Sequence, residues 1–337
     1  MHLKYKIPLI LFSAIFIVVI MLIIATFVYF KHRDSRTEIM IESAKNKAQV
    51  VGGFMSARVE ELKKLEQYLI HEKHLSDKEK LDTLYRHMRD FLIEDSETKL
   101  ISDFYVFFER GAFFSPEATK EEFYYSIDYF RSETGDLKFA NVPSDTPSDT
   151  YNDEDDWYLA PKKTGKVHLT EPYRWRYPGE EKEHLMITIS YPIFFDGKFA
   201  GVIGMDMELG ALQRVFFDNL TNKETGIYLS LISNGGLRVT HPNEKLWLTE
   251  IGGDLSKEEQ DELKESISNG KEYSMITDNL LTNKKSVVSF VPLKPDWLDL
   301  PWSVMMVVPL NVKMKDIENY PLWILQRQMP SQVGQGE

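Results

Sequence analysis

The stretch HLMITISYPIFFDGKFAGVIGMDMEL, residues 184–209, decides the fold class. Two apolar runs flank Asp196-Gly197, a dipeptide that favours the tight turn of a β-hairpin. Pro192 predicts an edge or bulge position in the first strand, because proline cannot donate a ladder hydrogen bond. A helix is expected next, at roughly residues 208–220. Long antiparallel strands are therefore expected in the middle of the chain.

Upstream of this hairpin, the pattern is first helical and then strand-like. Apolar residues recur every three or four positions between Ile41 and Leu69, which predicts one helix face. The sequence SDKE predicts the start of a second helix, with Ser76 as its N-cap and Glu79 completing a capping box. Residues 103–115, DFYVFFERGAFFS, predict a hairpin. The long helix is expected to pack on the domain, and a pure coiled coil is the alternative.

A second, smaller unit is predicted from Gly226 onward. Its pattern is strand, Asn-Gly-Gly turn, strand, followed by a helix at 256–270 with Ser256 as its N-cap. Three more strands are expected near 272–278, 285–293 and 302–309. The predicted fold class is α+β, with two antiparallel-sheet modules that follow a long stalk helix.

The N-terminal region contains an uncharged apolar run at residues 7–30. This run is long enough to cross a bilayer core of about 30 Å, so we predict a transmembrane helix that contacts membrane lipid. A cleaved signal peptide is the alternative, but its apolar region is usually only about 7–15 residues long. Flanking Lys and Arg residues do not decide the orientation. After Leu310 we expect no second spanning run, as in a truncated receptor or a stand-alone anchored sensor.

Composition narrows the functional classes. The 337-residue chain has a net charge of −12, which argues against a nucleic-acid partner. Without cysteine it has neither disulfides nor thiolate catalysis. The histidines lack metal-ligand spacing, and the acidic run at 153–156 lacks calcium-loop spacing. We therefore expect no metal, no cofactor and no enzymatic activity; an anchored hydrolase with paired carboxylates is the enzymatic alternative.

Residues 153–175, DEDDWYLAPKKTGKVHLTEPYRW, place four acids beside two aromatic pairs. The pairs are Trp157 with Tyr158 and Tyr173 with Trp175. Two interpretations are open at this point. The run is either a solvated acidic loop next to core aromatics, or a box for a cation.

Three segments carry a resemblance to a known family: DDWYLAPKKTGKVHLTEPY, ITISYPIFFDGKFAGVIGMDMEL and GIYLSLISNGGLRVTHP. In order and spacing they resemble the double Cache (dCache) sensor domains of bacterial chemoreceptors and sensor kinases, over residues 34–312. The resemblance implies two PAS-like modules in an extracytoplasmic ligand-binding domain, anchored in the inner membrane with its N-terminus inside. It also implies a homodimer formed through the long helix. The implied organisation is a cytoplasmic tail (1–6), a transmembrane helix (7–30), two sensor-domain helices (31–95), a membrane-distal ligand-binding module (96–222), a membrane-proximal module (223–312) and a C-terminal tail (313–337).

One subclass of this family binds amino acids through an Arg two residues before a Trp-Tyr pair, a later Tyr-x-Asp and an Asp at the end of the last hairpin strand. The positions that match are Trp157, Tyr158, Tyr173 and Asp206. Asp155 stands at the Arg position, and Tyr151 roughly matches an upstream Tyr. The resemblance therefore implies that this chain has the part of the motif that holds the ligand's ammonium group and lacks the arginine that holds its carboxylate.

This departure favours a cationic ligand, because Asp155 would repel a carboxylate where Arg would grip it. Aromatic rings, including that of Trp175, attract alkylammonium ions. We predict a small amine or quaternary amine as the ligand of a membrane-anchored sensor for chemotaxis or transmembrane signalling. Arg174 or Arg176, turned inward, would instead restore amino-acid binding. A structural anchoring protein without a small ligand is the third alternative.

Overall fold

A computed structural model describes residues 6–95, 98–115, 124–132, 135–144, 156–177, 181–253 and 255–313 of the chain. Within the first 36 residues, it describes side chains only at 19–22. The helices are α1 (Lys6–Glu72), α2 (Asp77–Glu94), α3 (Asp156–Thr164), α4 (Leu209–Leu212) and α5 (Lys257–Ser268). The strands are β1 (Ile101–Glu109), β2 (Tyr124–Arg131), β3 (Leu137–Ser144), β4 (His168–Leu169), β5 (Tyr173–Trp175), β6 (His184–Phe195), β7 (Lys198–Glu208), β8 (Tyr228–Ile232), β9 (Tyr273–Asp278), β10 (Lys285–Pro292) and β11 (Ser303–Pro309).

The first module is built on a seven-stranded antiparallel sheet in the order β3-β2-β1-β7-β6-β4, with β5 also paired to β6. The predicted β6–β7 hairpin is confirmed, and Asp196 and Gly197 take the positive φ angles of 50° and 76° that its turn requires. Pro192 lies beside a register shift at Ile193/Phe194, past the point where β4 ends its pairing with β6. The predicted helix after the hairpin is α4, which continues through a π-helical turn and a 3₁₀ turn to Leu220.

The hairpin predicted over residues 103–115 is wrong. Strand β1 ends at Glu109, and its partners are β2 and β7. Phe113 and Phe114 turn back into the core instead of pairing, and the Phe113 ring stacks on Phe108 at 4.7 Å. Lys80 Nζ donates to the Phe113 carbonyl at 2.7 Å, which ties this turn to α2.

Helix α1 supports both sheets along one apolar face. The predicted face from Ala44 to Leu69 is buried, and Ile41 is half-buried against the same core. One continuous apolar cluster contains this face and residues of both sheets, so α1 is not a free coiled coil. Gly52 lies 3.7 Å from the Pro295 ring, measured from an ideal Cβ, which shows how closely α1 approaches the second sheet.

The start of α2 and of α5 is fixed by the predicted capping boxes. Ser76 with Glu79, and Ser256 with Glu259, each exchange side-chain and backbone hydrogen bonds. These reciprocal contacts satisfy amide groups that have no partner inside the helix.

The second module contains a four-stranded antiparallel sheet in the order β8-β11-β10-β9, covered on one face by Leu263 and Ile267 of α5. The three strands predicted near the C-terminus are confirmed as β9, β10 and β11. The strand predicted after the Asn-Gly-Gly turn is reduced to isolated bridges, Ile232 to Arg238 and Leu237 to Glu250.

Among the residues that the structure describes, no helix has an apolar segment long enough to cross a membrane. The side chains of the predicted span at 7–30 lie outside the described set except at 19–22, so the span stays a prediction. Residues 314–337 of the predicted tail also lie outside the described part.

Candidate ligand-binding site

A row of polar side chains crosses one face of the first sheet. Asp103 on β1 pairs with Asp206 on β7, and Asp206 pairs with Thr188 on β6. Residues directly opposite each other on neighbouring strands share a face, so the two carboxylates are side-by-side neighbours. Asp103 and Asp206 are each only 5% exposed. Two small apolar clusters, one around Phe107 and one around Phe130, flank the row.

Hydrogen bonds order one half of this row. Thr188 Oγ1 donates to Asp206 Oδ1 at 2.6 Å. Since that proton is committed to Asp206, the Tyr173 hydroxyl is the donor in its 2.6 Å contact with Thr188 Oγ1. The chain Tyr173–Thr188–Asp206 thus orients the Asp206 carboxylate from the β5 side.

The other half of the row has unmet hydrogen-bonding capacity. Within the described residues, Asp103 Oδ1, the Tyr105 hydroxyl and Ser190 Oγ are buried without a hydrogen-bond partner. They belong to neighbouring positions on the same sheet face, because Tyr105 and Ser190 both pair with Gly204, which lies two residues before Asp206 on β7. Buried polar atoms are normally satisfied, and a group of unsatisfied ones calls for a functional explanation.

The electrostatics of the row favour a positive charge. Burial raises the pKa of Asp206 to about 7, and the charge of Asp128 adds to that shift while the Thr188 hydrogen bond opposes it. Burial, then the charges of Asp206 and Asp128, raise the pKa of Asp103 well above its usual range. Taking two carboxylates out of water costs free energy unless a cation or proton compensates them.

The charged side chains that raise the pKa values of the groups in this row are acidic. The phenols of Tyr105, Tyr177 and the partly buried Tyr173 have their pKa values raised by loss of solvent and then by Asp206 or Asp103.

Aromatic rings wall the row on the side of α3. The Trp157 ring meets Tyr105 edge-on at 5.4 Å and Phe107 at 5.8 Å. The Tyr105 ring lies across Gly204, where an added Cβ would stand 2.1 Å from the ring. Glycine at 204 is therefore what allows this ring to lie flat beside Asp206. Asp156, the first residue of α3, lies 2.9 Å from His168 Nε2 and fixes the start of the helix on β4.

The structure brings three of the residues predicted from the sequence together: Asp206, Tyr173 and, through its contact with Tyr105, Trp157. Tyr158 is fully buried, and its hydroxyl bonds Glu109 at the far end of β1. Trp175 is 48% exposed on the outer part of β5 and lies outside the row. Tyr151 and Asp155 lie outside the described residues.

The possible carboxylate clamp also lies outside the row. Arg174 and Arg176 both face Glu183, at 3.4 and 3.7 Å, with more than half of each side chain exposed. Neither arginine turns inward in this structure, so the arrangement that would restore amino-acid binding is not formed.

The sequence interpretation missed Asp103, Tyr105 and Asp128, together with Thr188. One signal was present: Asp103 and Tyr105 lie two residues apart on a largely apolar strand, which places both side chains on one face. Their meeting with Asp206 depends on the β1–β7 pairing, across about a hundred residues of sequence, and no local pattern reports that pairing.

Comparisons with known proteins bear on this fold. Residues 92–214 match the family model described as methyl-accepting chemotaxis protein-like, first PDC sensor domain. This part of the chain is therefore similar to a PDC (Cache) sensor module. The polar row lies within it, since Asp103, Thr188 and Asp206 all fall inside the matched residues.

Two relatives extend the comparison beyond this module. The chain is 25% identical over 181 residues to the methyl-accepting chemotaxis protein TlpQ of Pseudomonas aeruginosa, which is 53% of this chain and 24% of TlpQ. The chain thus spans about a quarter of the length of that relative. The extracellular domain of mmHK1S-Z3 superposes with a TM-score of 0.62 at 22% identity, over 82% of this chain and 94% of that domain. That likeness shows a shared fold over both modules.

A third comparison is a structure with a bound ligand. The ligand-binding domain of the amino acid chemoreceptor PctB of Pseudomonas aeruginosa, in complex with L-Arg, superposes with a TM-score of 0.50 at 19% identity. The superposition covers 83% of this chain and 96% of that domain, and it shows a shared fold.

Proposed function

We propose that the first module binds a small organic cation with an alkylammonium group, between the Asp103–Asp206 pair and the rings of Tyr105, Trp157 and Tyr173. The observation that carries this proposal is the pair of adjacent buried carboxylates, in which Asp103 Oδ1 has no hydrogen-bond partner among the described residues. An ammonium group supplies both the charge and the donors that this pair lacks.

The aromatic wall supports the same ligand class. A cation within about 6 Å of an aromatic ring gains roughly 0.5–2 kcal/mol, and more of it when water is excluded. The neighbouring carboxylates of Asp103, Asp206 and Asp128 would repel the carboxylate of an amino acid. A quaternary amine fits the rings, whereas a primary amine also donates to Asp103 and Tyr105.

We further propose that the chain is the extracytoplasmic sensor of a membrane-anchored receptor, for chemotaxis or another form of transmembrane signalling. Its support is the chemotaxis-type PDC match together with the apolar run at 7–30. In this proposal the ligand favours one arrangement of the first module, and α1 carries the shift toward the membrane. A ligand can bias such an equilibrium only through its different affinities for the two arrangements.

A thermal-unfolding panel tests the ligand class. The purified full chain, followed by tryptophan fluorescence, is heated with choline, ethanolamine, L-alanine or dimethylbutanol, the uncharged carbon isostere of choline. A ligand at a hundred times its dissociation constant stabilises by about 2.7 kcal/mol, or a few degrees. The proposal predicts shifts with the amines and none with the isostere.

Other outcomes assign other functions. A shift with L-alanine alone means that the site holds an amino acid and that the proposed ligand class is wrong. Equal shifts with choline and its isostere would show that apolar burial, not charge, drives binding.

A further inference from the structure

The loop between β4 and β5 links the polar row to the second module. Thr170 and Tyr173, at its two ends, both bond to Thr188, the residue that orients Asp206. The Thr188 amide donates to Thr170 Oγ1 at 2.9 Å, and the Thr170 amide donates to the Thr188 carbonyl at 3.0 Å. Tyr173 bonds the Thr188 side chain at 2.6 Å. This four-residue loop is therefore closed on Thr188 at both ends.

The middle of the loop reaches the second module through Glu171. Its Oε1 accepts from the Gly235 amide at 2.9 Å, and its Oε2 accepts from the Ser233 hydroxyl. An added Cβ at Gly235 would stand 3.0 Å from the carboxylate, so only glycine allows this approach without a shift. We call Glu171 and its two partners in the turn after β8 the Glu171 clasp.

The gripped turn is itself held firmly. Ser233 Oγ, while donating to Glu171, accepts from the Leu237 amide at 3.0 Å. Asn234 Nδ2 donates to the Pro301 carbonyl at 3.0 Å and to the Ser268 carbonyl at 3.3 Å. These contacts join the turn to the end of α5 and to the segment that leads into β11. A displacement of Glu171 would therefore shift the turn and, through it, the end of α5 and the segment before β11.

A second contact places the exit of β7 against the same part of the second module. The Trp247 ring lies 3.6 Å from an ideal Cβ at Gly210, four positions after Asp206. Trp247 Nε1 donates to the His241 carbonyl at 2.9 Å. The segment from Ser233 to Trp247 thus touches the chain just before Tyr173 and just after Asp206.

We propose that Glu171 is a positioning residue. It couples the position of Thr188, which bonds Thr170, Tyr173 and Asp206 in the ligand site, to the position of the turn in the second module. The clasp sets the position of Thr188 and Tyr173 from the second module, and a shift at Thr188 moves the turn at 233–236 in return. Its use in signalling rests on the proposed function, whereas the mechanical coupling does not.

Amide hydrogen exchange of the ligand-free full chain, measured by mass spectrometry, tests the coupling without any ligand. In Glu171→Ala we expect at least tenfold faster exchange both in the turn at 233–237 and in the β6 segment at 184–190. Ser233→Ala removes one bond of the clasp from the opposite module, and it should also accelerate exchange at 184–190. Lys166→Ala is the matched control: Lys166 pairs with Asp299 at 2.7 Å across the same junction, but both side chains are 62% exposed.

Coupling is distinguished from local loosening by where exchange accelerates: coupling predicts faster exchange at 184–190, away from the mutated residue. The unfolding midpoint of each variant is measured alongside, so that faster exchange at 184–190 without global destabilisation supports the proposal. Acceleration confined to 168–173 and 233–237 would overturn it, as would an equal effect of Lys166→Ala. Should Glu171→Ala fail to fold, Ser233→Ala alone decides between these outcomes. Failure of amine binding in the thermal panel would leave this result intact.

Discussion

Asp103 and Asp206 lie directly opposite each other on strands β1 and β7, and both carboxylates are buried on the same sheet face. In the described part of the molecule, Asp206 has its hydrogen bond from Thr188, while Asp103 Oδ1 has none. Such a pair is unfavourable for folding when both groups are ionised. Its presence makes sense if the site is completed by a cation.

Replacing Asp206 by Asn should stabilise the ligand-free protein at pH 8. The neutral amide removes a buried negative charge whose pKa is raised to about 7. We expect a gain of about 2–4 kcal/mol at pH 8 and a smaller gain, about 1–2 kcal/mol, at pH 5, where the folded carboxyl is protonated but the unfolded one is still mostly ionised. Urea unfolding at the two pH values measures this difference.

The matched control is Asp278→Asn, which removes a surface carboxylate paired with Lys285 at 3.2 Å. Its effect should stay within about 0.5 kcal/mol at both pH values. If Asp206→Asn instead destabilises the protein equally at pH 5 and pH 8, the carboxylate is held by a partner and the site is structural.

The stability of the ligand-free wild-type protein should fall as pH rises from about 4 to about 7. The folded-state pKa of Asp206, about 7, lies above its unfolded value, so in this window the folded state keeps a proton that the unfolded state has released. Asp103, with its pKa raised by burial and by Asp206, acts in the same direction. Each group contributes a slope of at most about 1.4 kcal/mol per pH unit.

The difference between wild type and Asp206→Asn isolates this slope from all other titrating groups. Denaturant unfolding at pH 5, 6 and 7 should show the gap between the two proteins closing toward low pH. A constant gap would mean that Asp206 titrates near its ordinary value.

Gly204→Ala should damage the aromatic wall, because the new methyl group would stand 2.1 Å from the Tyr105 ring. Moving a buried ring in a packed site costs about 1–3 kcal/mol. The ring can no longer lie beside Asp206, so amine affinity should fall with stability. Choline titration and thermal unfolding measure the two effects.

Gly53→Ala in α1 is the control for this substitution. No atom lies within 4 Å of an added Cβ at Gly53, and alanine favours the helix by about 0.5–1 kcal/mol. Stability should therefore rise slightly while choline affinity stays unchanged. Retained choline affinity in Gly204→Ala would show that the Tyr105 ring does not border the ligand.

Tyr173 and Arg174 are adjacent in sequence but should differ in function. Tyr173→Phe removes the hydroxyl that donates to Thr188, and we expect choline affinity to fall roughly tenfold, the equivalent of one neutral hydrogen bond. Arg174→Ala removes a side chain that faces Glu183 in solvent, so choline affinity should stay within about twofold. A large loss of choline affinity in Arg174→Ala, together with amino-acid binding by the wild type, would place this arginine in the site.

Local features of the fold could be predicted because short-range chemistry determines them. The capping boxes at Ser76 and Ser256 and the hairpin turn at Asp196-Gly197 each depend on a few neighbouring residues. The spacing of apolar residues in α1 likewise predicts its buried face, but it does not show which sheets cover that face. The hairpin predicted around Gly111 was wrong, because Phe113 and Phe114 bury their rings in the core instead of pairing with β1.

The candidate site could be predicted only in part for a similar reason. Asp206 and Tyr173 were found from their motif positions, whereas Asp103 joins them through pairing of strands distant in sequence. A motif also cannot show how deeply a ring is packed: Tyr158, predicted as a ligand contact, is fully buried and bonds Glu109. Nor does the motif show that Trp175 is 48% exposed and lies outside the polar row.

Isothermal titration of choline into the full chain at pH 8 tests the central claim most directly. Wild type should bind choline, with dimethylbutanol binding at least tenfold more weakly, since only choline neutralises the Asp103–Asp206 pair. Asp206→Asn should lose choline binding while Asp278→Asn keeps it. Equal affinity of wild type for choline and dimethylbutanol, or undiminished choline binding by Asp206→Asn, would contradict a cation site built on these two carboxylates.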